Sequence, residues 1–196
     1  MIRSHADYLA YLEADRMAMG RSGKPPFLLV KDPTWYYQRL LRQYEFTINC
    51  RTGRYWLPWR LWMTYRYLSV KLLLGFQIPP NVIGAGLNLV HTGNILIHDQ
   101  ARIGTNLRIN IGVVIGRGAG ADAVPVIGSH VTIEPGAKIF GGITIADWTH
   151  IGANAVVNKS ISTPGMIVAG VPARIIKPNP DYPEMLETQP TPLTVS

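Results

Sequence analysis

His91, within the segment LVHTGNIL, is the side chain of this sequence best suited to acid–base chemistry. A neutral imidazole can accept the proton of a hydroxyl group near pH 7, which makes the oxygen a competent nucleophile. His98 and Asp99 follow closely and are candidates for orienting the base or holding an acceptor, although an exposed histidine and a turn aspartate are commoner. These residues favour a general base that activates a hydroxyl acceptor.

The other potentially reactive groups do not predict a second kind of catalytic or ligand-binding site. The one cysteine, Cys50, cannot form an internal disulfide, which fits a reducing compartment, and we predict that it is a small buried hydrophobe. His130 and His150 do not have the spacing of metal ligands, so we predict no metal site. The run GRGAGA lacks the GK[ST] ending of a phosphate-binding loop and is predicted to border the substrate site.

The C-terminal half, which must position these residues, repeats with a period of six. From Ile97 to Ile175, eleven of the fourteen residues at steps of six are Ile or Val. This period is neither helical nor simply alternating, so each hexad is predicted to be one short strand plus a turn. Three hexads then form one triangular coil, whose inward aliphatic residues stack on their equivalents three hexads away.

The period slips at two places, where a solenoid can carry functional loops. The step from Leu89 to Ile97 is eight residues instead of six and contains His91. The segment 116–126 is the second irregularity and is predicted to project as a loop. Counting repeats from Leu89 places Asn110 close to His91, where we predict that it helps to hold the acceptor.

The N-terminal part has a helical pattern. Ser4 and Asp7 form a capping-box variant before a predicted helix over 5–19. A second helix is predicted through WYYQRLLRQYEF, and a third over 58–74, where Gly75 ends it. We therefore divide the chain into a small α-helical module (1–77), a mainly β domain (78–177) and an extended tail (178–196).

The net charge of +7 comes from the N-terminal part, since residues 1–80 carry twelve Lys and Arg against five Asp and Glu. Such a module could meet an anionic membrane surface or an acidic acceptor, and a solvated face is equally consistent. We predict no nucleic-acid partner, and we favour packing of the aromatic third helix against the β domain or a neighbouring subunit over a membrane interface. No export signal is visible, so we expect a cytoplasmic protein, with peripheral contact to the inner membrane face left open.

Three stretches of the repeat, GAKIFGGITI, HIGANAVVNKSI and AGVPARII, resemble the hexapeptide-repeat acyltransferases. The N-terminal YLEADR and DPTWYYQRLLRQYEF look like the helical lead-in of the serine acetyltransferase-like branch found in capsular and other surface-polysaccharide biosynthesis. The resemblance implies left-handed parallel β-helices in a homotrimer or a dimer of trimers, with acetyl-CoA in a groove between subunits. His91 matches the catalytic histidine of the family motif LxHxxxI.

The resemblance also implies which residues bind acetyl-CoA. Backbone contacts fall to corner residues such as Gly116 and Ala153. Contacts to the CoA phosphates fall to the basic side chains of Lys159, Arg174 and Lys177. A solvated rim accounts for these three cations equally well.

Departures from the family pattern bear on the acceptor. Val90 stands where serine acetyltransferases carry an acid, and Ala-Val-Pro at 123–125 replaces their Arg-His-Pro. Because charged anchors for an amino acid are missing there, the pattern favours a sugar hydroxyl of a surface polysaccharide as the acceptor. Serine O-acetylation in cysteine synthesis is the enzymatic alternative, and a non-catalytic trimeric binding scaffold is the alternative of another class.

Overall fold

The structure is a computed structural model that describes residues 1–21, 28–118 and 123–183. Within these ranges four helices come first, α1 (His5–Ala18), α2 (Leu28–Lys31), α3 (Pro33–Cys50) and α4 (Leu57–Leu74), with a 3-10 turn (Arg54–Trp56) before α4. The Ser4 hydroxyl accepts a hydrogen bond from the Asp7 amide at 3.0 Å, which confirms the predicted start of α1. Gly75 ends α4, as predicted, with a left-handed φ of 73°.

Short strands follow and stack in three sheets, which we name A, B and C. Their bounds are β1 (Phe76–Gln77), β2 (Asn88–Leu89), β3 (Ile95–Ile97), β4 (Arg102–Ile103), β5 (Arg108–Ile109), β6 (Val114–Gly116), β7 (Val126–Ile127), β8 (Thr132–Ile133), β9 (Lys138–Phe140), β10 (Thr144–Ile145), β11 (His150–Ile151), β12 (Val156–Val157), β13 (Met166–Gly170) and β14 (Ala173–Pro178). Sheet A has the order β1-β3-β6-β9-β12, sheet B the order β4-β7-β10, and sheet C the order β2-β5-β8-β11-β13-β14. From β3 to β12 the chain therefore visits A, B and C in turn.

The strand register reproduces the hexad repeat. Ile97 pairs in parallel with Ile115, three hexads further along the chain, as one regular coil requires. Each predicted irregularity makes one coil longer than three hexads. Leu89 pairs with Ile109, so this coil has two extra residues. Ile115 pairs with Ile139, so this coil has one extra hexad. The inward aliphatic side chains of these ladders are buried. Each such side chain contributes roughly 1.5–3 kcal/mol of hydrophobic stabilisation.

The helical module is attached to the first coil by buried aromatic rings. The ring centroids of Tyr37 on α3 and Phe76 on β1 lie 4.6 Å apart. The Tyr37 and Tyr67 hydroxyls both donate to the carbonyl oxygen of Ile78. The end of α4 is thereby held at a defined place beside sheet A.

A buried ion network makes the second attachment. The Arg42 guanidinium, with no exposed side-chain surface, lies 2.8 Å from Asp15 of α1 and 3.0 Å from Glu45 of α3. It also donates to the carbonyl oxygens of Ile83 and Gly84. Burial by itself lowers the pKa of Arg42, but the neighbouring carboxylates outweigh it and raise that pKa above the ordinary value.

Some elements differ from the sequence-based expectation. α3 continues to Cys50, four residues past the predicted segment, and the short α2 was not predicted. β13 and β14 form an antiparallel hairpin where a further hexad was expected, because the chain reverses at Gly170, with a φ of 97°. The projecting loop and the tail lie in part outside the described residues. In the described chain no helix has the length and apolar character to cross a membrane.

Candidate active site

His91 lies in the widened turn between β2 and β3. The Val90 amide donates to the Ile109 carbonyl at 3.1 Å, and the Gly93 amide donates to the Leu74 carbonyl at the end of α4 at 3.2 Å. These bonds hold the turn on both sides of His91. The imidazole itself is exposed, and among the described residues none forms a hydrogen bond with it. An exposed imidazole on a fixed backbone is available to a substrate.

Gly93 is required for the close packing of this turn. Its φ is 133°, a conformation that side-chain-bearing residues rarely adopt, and an added Cβ would lie 2.4 Å from Cδ1 of Ile111. The turn therefore rests on the next coil. This contact limits how far the backbone next to His91 can move.

A cavity of about 450 Å³ lies where the end of α4, the His91 turn and sheet A meet. Asn94, from the same turn as His91, lines it, and Lys138 on β9 is the one charged residue among the described lining residues. The Lys138 ammonium donates to the Gly112 carbonyl and keeps further donors. The remaining lining residues are Gly75, Gln77, Ile95, Leu96, Gly112, Val113 and Val114. A small anionic molecule would find a cation in this cavity.

Asn110 directly follows β5 of sheet C and belongs to a buried and half-buried polar cluster. It is 3% exposed, and its side-chain amide donates to Glu134 at 3.0 Å. Arg108 donates to the same carboxylate at 3.1 Å, and Nε2 of His150 lies 3.3 Å from it. The ladder pairs Leu89 with Ile109, the residue before Asn110, and the proximity of Asn110 to His91 stays a prediction. Its side-chain amide is already bonded within the cluster.

Asp99 lies at the following corner and is largely exposed. Its carboxylate is 2.9 Å from Nδ1 of its neighbour His98. Of the described residues, His98 is thus its ion-pair partner, and Asp99 forms no hydrogen bond with His91. The ring of His130 stacks on Trp148, with centroids 4.1 Å apart. No group of three potential metal-ligating side chains occurs in the described part of the chain.

The residues predicted to bind acetyl-CoA divide into two groups. Gly116 is buried at the end of β6, where an added Cβ would lie 3.8 Å from the Phe140 ring. Ala153, Lys159, Arg174 and Lys177 are all exposed. Arg174 and Lys177 lie on β14 of sheet C. Ala153 lies in the turn between β11 and β12, and Lys159 follows β12 of sheet A.

Lys138, Asn94 and Glu134 were missed by sequence reasoning. A signal for Lys138 was present, since it directly precedes the inward Ile139 and must therefore point outward. Its proximity to the turn was not visible, because it depends on the parallel pairing of Lys138 with Val114, which lies four hexads earlier in the chain.

The stacked hexads define a hexapeptide-repeat protein, with an exposed histidine in a widened turn. Comparisons with known proteins indicate the same class. The profile of the family "Bacterial transferase hexapeptide (six repeats)" matches residues 125–159. The serine acetyltransferase of Mycobacterium tuberculosis is 37% identical over 119 residues, 58% of this chain and 52% of that protein. The serine acetyltransferase of Helicobacter pylori is 34% identical over 123 residues, 60% of this chain and 71% of that protein. The crystal structure of Neisseria gonorrhoeae serine acetyltransferase in complex with serine aligns with a TM-score of 0.67 and 25% identity, covering 89% of this chain and 71% of that chain.

The chain belongs to the hexapeptide-repeat transferase family, and serine acetyltransferases are its relatives. It spans about half the length of the Mycobacterium tuberculosis relative. The prediction of a surface-polysaccharide sugar as acceptor is wrong, because these relatives are serine acetyltransferases. That prediction assumed that only Val90 and 123–125 could supply charged anchors, whereas Lys138 brings a cation to the cavity from another coil.

Proposed function

We propose that the protein is an acetyl-CoA-dependent O-acetyltransferase with serine as its acceptor. The observation that carries this proposal is the widened turn, which presents an exposed His91 and contributes Asn94 to a cavity with one cationic side chain. The relationship to serine acetyltransferases supports both the reaction and the acceptor. The complex of the gonococcal relative with serine supports the same acceptor.

The reaction needs one group that accepts a proton at the start and returns it at the end. The neutral His91 imidazole takes the proton of the serine hydroxyl as its oxygen attacks the thioester carbonyl carbon of acetyl-CoA. The carbon–sulfur bond then breaks, and the departing CoA sulfur receives the proton. The products are O-acetylserine and CoA. No acyl-enzyme forms, so Cys50 has no part in the reaction.

Lys138 is proposed to recognise the serine carboxylate. It contributes a cation to an otherwise neutral cavity lining, and a hydrogen bond between charged groups is roughly twice as strong as one between neutral groups. This role replaces the Arg-His anchors of the family, which are absent at 123–125. Asn94, in the same cavity, can accept a hydrogen bond from the serine ammonium group.

The proposed assembly is a homotrimer of left-handed β-helices, with acetyl-CoA in the groove between two subunits. Flat sheet faces make such grooves natural ligand sites. The exposure of Lys159, Arg174 and Lys177 supports their proposed role toward the CoA phosphates. Gly116, which is buried, would contribute through its backbone only. Two trimers joined through the helical modules are the larger form of this proposal.

The test is release of free CoA from acetyl-CoA by the purified chain with different acceptors. We expect turnover with L-serine, none with L-alanine, which lacks the hydroxyl, and weak turnover with L-serinamide, which lacks the carboxylate. Turnover with a sugar but not with serine would overturn the acceptor. Binding of acetyl-CoA without turnover on any acceptor would favour the scaffold function instead.

A further inference from the structure

Helix α4 has a second apolar face that no other part of the described chain covers. Leu57, Leu61, Tyr65, Leu68 and Leu72 recur at steps of four, four, three and four residues, so they form one stripe along the helix. Their exposed fractions are 51%, 63%, 72%, 45% and 80%. We call these five residues the outer stripe. It runs the length of α4, about 27 Å at 1.5 Å per residue.

The opposite side of α4 is the one that packs on the protein. Met63, Tyr67 and Val70 are buried there, and α4 contacts α3. An ordinary surface helix has one apolar face and one polar face. Since the inner face already holds α4 on the module, the outer stripe is not needed for folding the described chain. Apolar area of this extent on a surface indicates an interaction site.

The charge around the stripe is of one sign. No Asp or Glu occurs in the sequence between Glu45 and Asp99. The same stretch carries Arg54 just before α4, and Arg60, Arg66 and Lys71 within it. On the helical projection Arg60 and Lys71 follow one edge of the stripe. Trp62, 47% exposed, and Leu73, 70% exposed, follow the other edge.

We propose that the outer stripe docks α4 flat on an anionic lipid bilayer surface. Leucines with tyrosine and tryptophan fit the boundary between headgroups and acyl chains, and the flanking cations fit anionic headgroups. Stripe-to-stripe pairing of two copies of this chain is a poorer alternative, because it brings the cations of both helices together without an acid to balance them. The proposed joining of two trimers would therefore use another surface of the helical modules. α4 cannot cross the bilayer, so it lies in the interface.

This docking places the cavity next to the bilayer. Gly75, which ends α4, and Gln77, two residues further on, both line the cavity. The residue that caps the C-terminal end of the membrane-bound helix is therefore itself part of the cavity wall. This inference does not depend on the acceptor or on turnover.

The experiment is flotation of the full chain with vesicles of phosphatidylcholine alone or mixed with phosphatidylglycerol. We expect binding to the mixed vesicles, weaker binding at high salt, and little binding to phosphatidylcholine alone. The variant Leu61→Ser/Tyr65→Ser should lose about ten-fold or more in partition, because it removes apolar area from the centre of the stripe. The control Met17→Ser removes an apolar side chain that is 68% exposed on α1, and it should bind like the wild type.

Circular dichroism must show the same fold for both variants, which is expected because the substituted side chains are exposed. Absence of wild-type binding to the mixed vesicles would overturn the proposal. Equal loss with Met17→Ser, or no loss with the stripe variant, would also overturn it. If the stripe variant instead reduced the particle mass by light scattering while no form bound vesicles, the stripe would be an interface between copies.

Discussion

Leu89 pairs in parallel with Ile109, which lies two positions further along the chain than the three hexads of a regular coil would place it. The two extra residues lie in the turn that carries His91, so they widen it without shifting the ladder on either side. Ile97 and Ile115 resume the regular spacing directly afterwards. The His91 side chain is thus placed on an irregular turn whose ends are held by a regular sheet. Such an arrangement exposes the imidazole while limiting the movement of its backbone.

Replacement of the base tests its role. We expect His91→Ala to reduce serine-dependent CoA release by about 10²–10⁴-fold, the usual contribution of a general base. The melting temperature should stay unchanged, because the His91 side chain is exposed and has no hydrogen-bond partner among the described residues. The matched control is His5→Ala, an exposed histidine on α1. Equal loss in both variants would contradict the assignment.

Removal of the cavity cation tests the acceptor site. Lys138→Met keeps a side chain of similar length but loses the charge, so we expect the KM for serine to rise about ten-fold or more with little change in kcat. Initial rates at varied serine and fixed acetyl-CoA measure this. Arg102→Met is the control, since within the described ranges the Arg102 side chain donates to the nearby carbonyls of Gln100 and Ala101 and to no other group. A rise in the KM for acetyl-CoA alone would move Lys138 to the donor site.

The buried ion network should dominate the stability of the helical module. Arg42→Met leaves the Asp15 and Glu45 carboxylates buried without their cation, which is expected to lower the free energy of unfolding by about 3–5 kcal/mol. Urea unfolding followed by circular dichroism gives this value. Arg16→Met removes an exposed pair with Glu13 and should have no measurable effect. Similar midpoints for both variants would show that the network is not essential.

Alkaline pH should loosen the contact between α4 and the first coil. Burial raises the pKa of Tyr67 to about 12, whereas the pKa of an unfolded tyrosine is ~10. The stability from the neutral Tyr67 is therefore complete below pH ~10 and is lost as the pH rises towards 12. Urea midpoints at pH ~8 and ~11 should differ less in Tyr67→Phe than in the wild type. Tyr55→Phe, at a site 87% exposed, should retain the full difference.

Much of the fold was predictable because its signals are local. The hexad period depends on residue types at fixed steps of six, and each six-residue repeat forms one short strand and one turn. The ends of α1 and α4 were predictable for the same reason, since Ser4 and Gly75 act within one helical turn. The hairpin of β13 and β14 was missed, because Ala169 and Ile175 continue the six-residue step in the sequence, although Val168 is the buried residue of β13 and Ile175 is 53% exposed.

The site was predictable only in part. The sequence by itself determined that His91 lies in a turn two residues too long, because a break in a strict period needs no structure to be seen. It did not determine that Lys138 shares a cavity with the His91 turn, that Asn110 binds Glu134, or that α4 has an uncovered apolar stripe. The first two relationships join residues that are far apart in the chain. The third arises because one face of α4 is buried against the protein while the opposite face is exposed to solvent. Only the stacking of coils and the docking of the helices decide them, because burial and electrostatic partners are properties of the packed chain.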